Sequence, residues 1–158
     1  METLTKEQTE KIISKLNNLV EINNDRIQGY ERAISETEGE DLIRLFTNMA
    51  NTSKKFKAEL SKEVTNLGGE ATEGTKNSGK LFRVWMDIKA ALTGKNRKEI
   101  LSSCEFGEDA ALETYTEVLQ NEDEVLDKNL IDIIQSQKQT IQLHHNQVKT
   151  LKDNEAKK

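Results

Sequence analysis

The sequence contains no proline and few aromatic residues, with four Phe, two Tyr and one Trp among 158 residues. Hydrophobic residues make up 34% of the chain and charged residues 32%, so Leu, Ile, Val and Ala at periodic positions supply most of the apolar surface. This composition favours an all-helical protein. At this length the chain fits a single domain, residues 1–158, that is large enough to bury a core.

Only one cysteine, Cys104, is present, which excludes an intramolecular disulfide. It falls on the apolar face of a helical segment, where a cysteine usually behaves as a small buried hydrophobe. Catalytic use would require a nearby base, and His145 could reach Cys104 only through tertiary packing. The sequence therefore gives little support to a Cys/His catalytic pair.

Long apolar runs are also missing, since none approaches the roughly 20 residues that span a bilayer. The opening METLTKEQTEK has neither a basic region nor an apolar stretch typical of a secretory signal. We expect a soluble, cytoplasmic protein without a membrane partner. The net charge of −5, with basic and acidic residues interspersed, argues against a nucleic-acid partner.

Apolar residues recur at three- and four-residue spacing over four long stretches, which predicts four long helices. The predicted helices cover about 5–36, 41–67, 97–120 and 122–151. Residues 68–96 form a crossover with a short helix at 80–92, and residues 152–158 form a polar tail.

Local signals mark several of these boundaries. Thr5 and Gln8 have the spacing of a capping box at the start of the first helix. Gly68 and Gly69 can end the second helix. Asn121, followed by Glu124, predicts the start of the fourth helix.

Short connections join the first helix to the second and the third to the fourth, which predicts two antiparallel hairpins. The nearly thirty residues between the hairpins can travel the length of a bundle. This organisation predicts a ferritin-like four-helix bundle, all-α in class. An up-down-up-down bundle capped by the short helix is the alternative.

Several polar residues fall inside the predicted apolar stripes, near the middles of the helices. They are Asn23, Tyr30, Ser53, Glu108, Tyr115 and Gln137. An isolated buried carboxylate is costly unless it is paired, hydrogen-bonded or protonated. We interpret the set as an interior polar layer that fixes helix register and could form a ligand site. Two alternatives stay open: Glu108 is a metal ligand, or it is solvated because the helix phase differs.

A di-iron centre in a ferritin-like bundle needs a Glu from each of two helices and a Glu-x-x-His pair from each of the others. The chain lacks this set, and the position three residues before His145 is Gln142. We therefore predict no catalytic residues and no cofactor. The alternative is iron, manganese or zinc bound weakly through Glu105, Glu108 and His145.

Several motifs resemble an uncharacterised bacterial family of ferritin-like four-helix-bundle proteins, described as a domain of unknown function. They are GYERA at 29–33, LGG at 67–69, W-x-x-I-K-A-A-L-T-G at 85–94 and I-L-x-x-C-E-x-G-E-D-A-A at 100–111. The resemblance implies the bundle fold with a helical crossover, but no established activity. Phe82-Arg83 departs from the family, which often has a histidine before the arginine.

The first functional hypothesis is a non-enzymatic binding or structural protein that acts through its surface or as a homo-oligomer, with a dimer favoured. A stress-related role would follow from fold analogy alone. The second is a metal-binding or redox protein with a reduced site around Glu108. The third is a bundle that binds a small ligand near Tyr30, Tyr115 and Glu108.

Overall fold

The computed structural model describes residues 4–74 and 97–156, and these ranges contain four helices and no strand. The helices are α1 (Lys6–Glu36), α2 (Glu40–Asn66), α3 (Arg97–Gln120) and α4 (Lys128–Ala156). Helix α1 packs along α2, α3 packs along α4, and α1 also contacts α3. The predicted short helix at 80–92 lies outside the described residues.

Two of the predicted boundary signals are confirmed by hydrogen bonds. The Gln8 backbone N–H donates to Thr5 Oγ1 at 3.0 Å, and the Thr5 N–H donates to Gln8 Oε1 at 2.9 Å, which completes the capping box. Helix α2 ends at Asn66, and Gly68 follows its C-cap Leu67 with a φ of +86°, a left-handed conformation. The N–H groups of Gly68 and Gly69 then donate to the carbonyls of Thr65 and Val64, as in a Schellman motif.

The fourth helix begins at Lys128 and not directly after Asn121 as the sequence predicts. Asn121 and Glu124 both have positive φ, so the chain turns through this segment instead of starting a helix. The Asn121 side chain bonds to the backbone of Leu126. Asp127 is the residue that caps α4, because its Oδ1 accepts from the Leu130 N–H at 2.9 Å.

Helix α4 also continues to Ala156, five residues beyond its predicted end at residue 151. Ion pairs stabilise this additional turn. Lys149 Nζ lies 2.9 Å from Asp153, and Arg97 Nε lies 2.7 Å from Glu155. Much of the predicted polar tail is therefore part of the helix.

The direction of the crossover distinguishes the ferritin-like topology from the up-down-up-down alternative. After α2 the chain runs back along α1, where Asn17 bonds to Glu70 and Thr72, and Asn24 bonds to Gly74. Helix α3 then begins with Arg97, which contacts Asp41 at the start of α2. Helices α2 and α3 therefore start at the same end of the bundle and run parallel, which requires a long crossover between the hairpins.

The hydrophobic core is divided into two clusters along the bundle. One cluster includes Leu16, Leu60 and Ile134, and the other includes Leu42, Phe46 and Leu101. Buried polar side chains occupy positions between these clusters on all four helices. The middle of the bundle is therefore polar, and this polar layer is the candidate functional site.

Candidate functional site

An ion pair between Arg26 of α1 and Glu108 of α3 forms the centre of the polar layer. Arg26 Nε lies 2.5 Å from Glu108 Oε1, and Nη2 lies 2.8 Å from Oε2, so the contact is bidentate. Both side chains are 0% exposed. A carboxylate such as Glu108 would be costly to bury alone. Here its charge is neutralised by the guanidinium of Arg26 on α1.

The other two helices complete the surroundings of the guanidinium. Arg26 Nη1 donates to the Ser53 hydroxyl of α2, and Nη2 lies 3.2 Å from Nδ1 of His144 on α4. The Tyr30 ring lies beside the same group, with its centroid 5.7 Å from Arg26 Cζ. Together with the Glu108 contact, Arg26 therefore has a neighbouring side chain from each of the four helices.

The electrostatics of this cluster favour one charged pair and a neutral imidazole. Burial by itself lowers the pKa of Arg26, but Glu108 more than offsets this effect, and the net pKa lies above its ordinary value. Burial and the nearby Arg26 lower the pKa of His144. The imidazole is therefore neutral at pH 7, and its Nδ1 can accept from the guanidinium.

A second hydrogen-bonded chain lies on the side of the layer nearer the Leu16 cluster. Asn23 Nδ2 donates to the Tyr115 hydroxyl at 2.8 Å, and this hydroxyl donates to Gln137 Oε1 at 2.7 Å. Asn23 Nδ2 also contacts the Leu19 carbonyl at 2.8 Å. Burial raises the pKa of Tyr115, so the phenol stays protonated and serves as both donor and acceptor.

All six residues of the predicted interior layer are buried in the structure, and it brings them together in two groups. Asn23, Tyr115 and Gln137 form the hydrogen-bonded chain. Ser53, Glu108 and Tyr30 surround Arg26. Their use as a ligand site stays a prediction.

The central residue itself, Arg26, is absent from the predicted layer. A signal for it exists in the sequence, since Arg26 follows Asn23 by three positions and precedes Tyr30 by four, and both lie on the buried stripe. Arginine is usually assigned to the surface because it is rarely buried without a partner. The partner of Arg26, Glu108, is 82 positions away in the sequence. The periodicity of a single helix gives no information on such a pairing.

The structure separates Glu108 from the other two weak metal candidates, Glu105 and His145, which lie close together. Both oxygens of Glu108 are bound by Arg26 in the interior. Glu105 instead contacts Lys152 at 2.5 Å, and His145 Nε2 contacts Asp109 at 2.7 Å, both toward the surface between α3 and α4. His144, and not its neighbour His145, is the histidine that points into the layer.

A dinuclear metal centre does not fit the residues in the bundle centre. Such centres in ferritin-like proteins use several carboxylates and two histidines to neutralise two cations. Among the described residues, Arg26 contacts one carboxylate, one serine hydroxyl and one imidazole, with the Tyr30 ring beside it. The carboxylate is already neutralised by the guanidinium. A buried ion pair with Ser53 and His144 beside it therefore occupies this position.

The sequence matches the family described as Domain of unknown function (DUF2383) over residues 11–121. The chain is a member of the DUF2383 family. This confirms the predicted resemblance to an uncharacterised family. The DUF2383 match includes Arg26, Ser53 and Glu108 and ends directly after α3, before His144.

Among solved structures, the DUF2383 chain is similar to a mutant of Dps1 from Mycobacterium smegmatis. The two share 14% sequence identity with a TM-score of 0.78, and the alignment covers 94% of this chain and 99% of that one. The likeness confirms the predicted ferritin-like four-helix bundle. A search of curated proteins finds no match. None of the described helices is long and apolar enough to cross a membrane.

Proposed function

We propose that this DUF2383 protein is a non-enzymatic ferritin-like bundle that acts through its surface, with an interior that serves structure instead of metal chemistry. The observation that carries the proposal is the bidentate Arg26–Glu108 pair. It occupies the layer in which ferritin-like proteins place their metal ligands. The arginine supplies the positive charge that a metal ion would otherwise supply.

The rest of the layer supports the same interpretation. Ser53 and the neutral His144 contact the arginine, and the Tyr115 chain joins α1, α3 and α4. Hydrogen-bonded polar groups inside a core fix helix register, because any shift along the axis would leave buried groups unpaired. A structural role therefore accounts for these contacts, while Asn23 Oδ1 and Gln137 Nε2 are buried without a hydrogen bond to the described residues.

The rate of iron oxidation distinguishes this proposal from the alternative of a metal-binding or redox protein with a site around Glu108. Fe²⁺ is added anaerobically to metal-stripped wild-type protein, oxygen is admitted, and the absorbance of Fe³⁺ products is followed. We expect a rate no higher than that of buffer, because Glu108 is already engaged by Arg26. Oxidation that exceeds the buffer rate and disappears in a folded Glu108→Gln variant would refute the proposal.

The proposed working surface includes an apolar groove between α2 and α4. Its volume is about 520 Å³, and it is lined by Leu45, Leu143 and Leu151 together with polar residues of α4. Leu143 is 63% exposed, and together with Leu45 and Leu151 it forms an apolar patch, which is more informative than a single exposed leucine. We propose that a second copy of the chain covers this groove, in keeping with the predicted homodimer.

Sedimentation velocity tests the groove as a dimer contact. Wild type is expected to sediment as a dimer at micromolar concentration, and Leu143→Glu is expected to shift it toward monomer by placing a charge in the interface. Gln142→Glu is the matched control, since it adds the same charge at the neighbouring exposed position. A monomeric wild type, or a dimer unaffected by Leu143→Glu, would exclude this interface.

Two further elements of the proposal depend only on fold analogy. They are a stress-related role and a cytoplasmic location, and both are supported by the likeness of the bundle to a Dps1 structure.

A further inference from the structure

Three potential metal ligands converge on the surface between α3 and α4. Glu105 and Asp109 are four residues apart on α3, so their side chains lie on the same face. His145 approaches from α4, and one ligand atom from each residue lies within 4.8 Å of the others. A tetrahedral ion with bonds of about 2.1 Å holds its ligand atoms roughly 3.4 Å apart, so side-chain rotations of about an ångström close the set.

The histidine in this group is oriented as metal-bound histidines usually are. Its Nε2 points toward Asp109 at 2.7 Å, while Nδ1 lies 3.3 Å from the side-chain oxygen of Asn146. Without an ion, the Nε2–H donates to the Asp109 carboxylate. An ion bound at Nε2 would take the place of this proton, and the ring proton on Nδ1 would then face the Asn146 oxygen. Asn146 thus orients the ring from outside the group.

A cation already lies at this position in the structure. Lys152 Nζ is 2.5 Å from Glu105 Oε2, and Glu105 and His145 are largely covered by the neighbouring helix. Asp109 is exposed, which leaves one side of the group open to water. The site therefore combines two fixed ligands, one accessible ligand and room for solvent in the remaining coordination positions.

We propose that Glu105, Asp109 and His145 bind one divalent first-row transition-metal ion, with Zn²⁺ as the representative, and that the ion displaces the ammonium group of Lys152. Two carboxylates balance the charge of a divalent ion. The imidazole favours zinc and its neighbours over Mg²⁺ or Ca²⁺, which prefer oxygen ligands alone. Water molecules complete the coordination on the exposed side.

This site is distinct from the interior layer. Glu108 faces Arg26 of α1 inside the bundle, whereas the three proposed ligands lie outside it, on α3 and α4. Metal binding at the surface is compatible with a structural interior. The inference therefore goes beyond the proposed function and does not depend on it.

Isothermal titration of the metal-stripped full-length protein with ZnCl₂ tests the site. We expect one ion per chain, with affinity reduced at least about tenfold in His145→Gln and in Asp109→Asn, because each substitution removes a ligand. Lys152→Gln is expected to bind more tightly, since it removes the competing ammonium. Lys128→Gln is the matched control. It removes the same charge from α4, but Lys128 pairs with Asp132 at the other end of the helix, so the affinity should be unchanged.

Absence of zinc binding in both wild type and Lys152→Gln would exclude the site. So would binding that His145→Gln leaves unchanged, or binding of MgCl₂ as tight as that of ZnCl₂, since these results would indicate a general acidic surface. Binding lost in a folded Glu108→Gln variant but kept in His145→Gln would refute both the surface site and the structural interpretation of the interior.

Discussion

Glu108→Gln is expected to lower the free energy of unfolding by about 3–5 kcal/mol, the range for breaking one member of a buried ion pair. The substitution keeps the size of the side chain but leaves the Arg26 guanidinium buried without a counter-charge. The amide also presents a donor where Arg26 needs an acceptor. Urea denaturation followed by circular dichroism measures the effect, provided that the denaturant slope is unchanged.

Glu105→Gln is the matched control for this prediction. It makes the same chemical change three residues earlier on α3, at a carboxylate that pairs with Lys152 at the bundle surface. We expect it to cost clearly less than Glu108→Gln, because the Lys152 side chain is 25% exposed and its ammonium can turn to water when the carboxylate is lost. Equal losses in the two variants would show that burial of the Arg26–Glu108 pair has no special energetic consequence.

Tyr115→Phe is expected to cost about 2 kcal/mol, since a buried hydroxyl that both donates and accepts is removed. The Gln137 carbonyl loses its donor, and Asn23 Nδ2 keeps only its contact with the Leu19 carbonyl. The ring and the surrounding apolar contacts remain in place. The same urea titration measures the loss.

Thr116→Val provides the comparison for the loss of a hydroxyl. The Thr116 hydroxyl is exposed and bonds only to the Leu112 carbonyl of its own helix among the described contacts. Surface changes of this kind usually stay within about 0.5 kcal/mol. A Tyr115→Phe effect no larger than this would mean that the hydrogen-bonded chain contributes nothing to stability.

The fold could be predicted from the sequence because its determinants are local or periodic. The apolar spacing gave the four helices, and Thr5, Gly68 and Gly69 marked boundaries that hydrogen bonds confirm. The predicted start of α4 was wrong because Asn121 and Asp127 are both good capping residues. The positive φ of Asn121 and Glu124 decides between them, and helical periodicity carries no information on such turns.

The candidate site could be predicted only in part. A helical wheel identifies polar residues on the apolar face of a helix, and it therefore predicts Asn23, Ser53 and Glu108 as interior residues. It does not identify pairing between helices, so Arg26 was missed as the partner of Glu108. For the same reason, the wheel could not assign His144 to the interior layer and His145 to the surface group with Asp109. These assignments depend on how α4 is rotated against α3.

The central claim is that Arg26 and Glu108 stabilise the bundle centre by neutralising each other, and a double-mutant cycle of unfolding free energies tests it most directly. The variants are Arg26→Met, Glu108→Leu and the two combined. We expect each single variant to lose about 3–5 kcal/mol and the double variant to lie within about 2 kcal/mol of wild type, because it contains no unpaired buried charge. Losses that simply add in the double variant would contradict the claim.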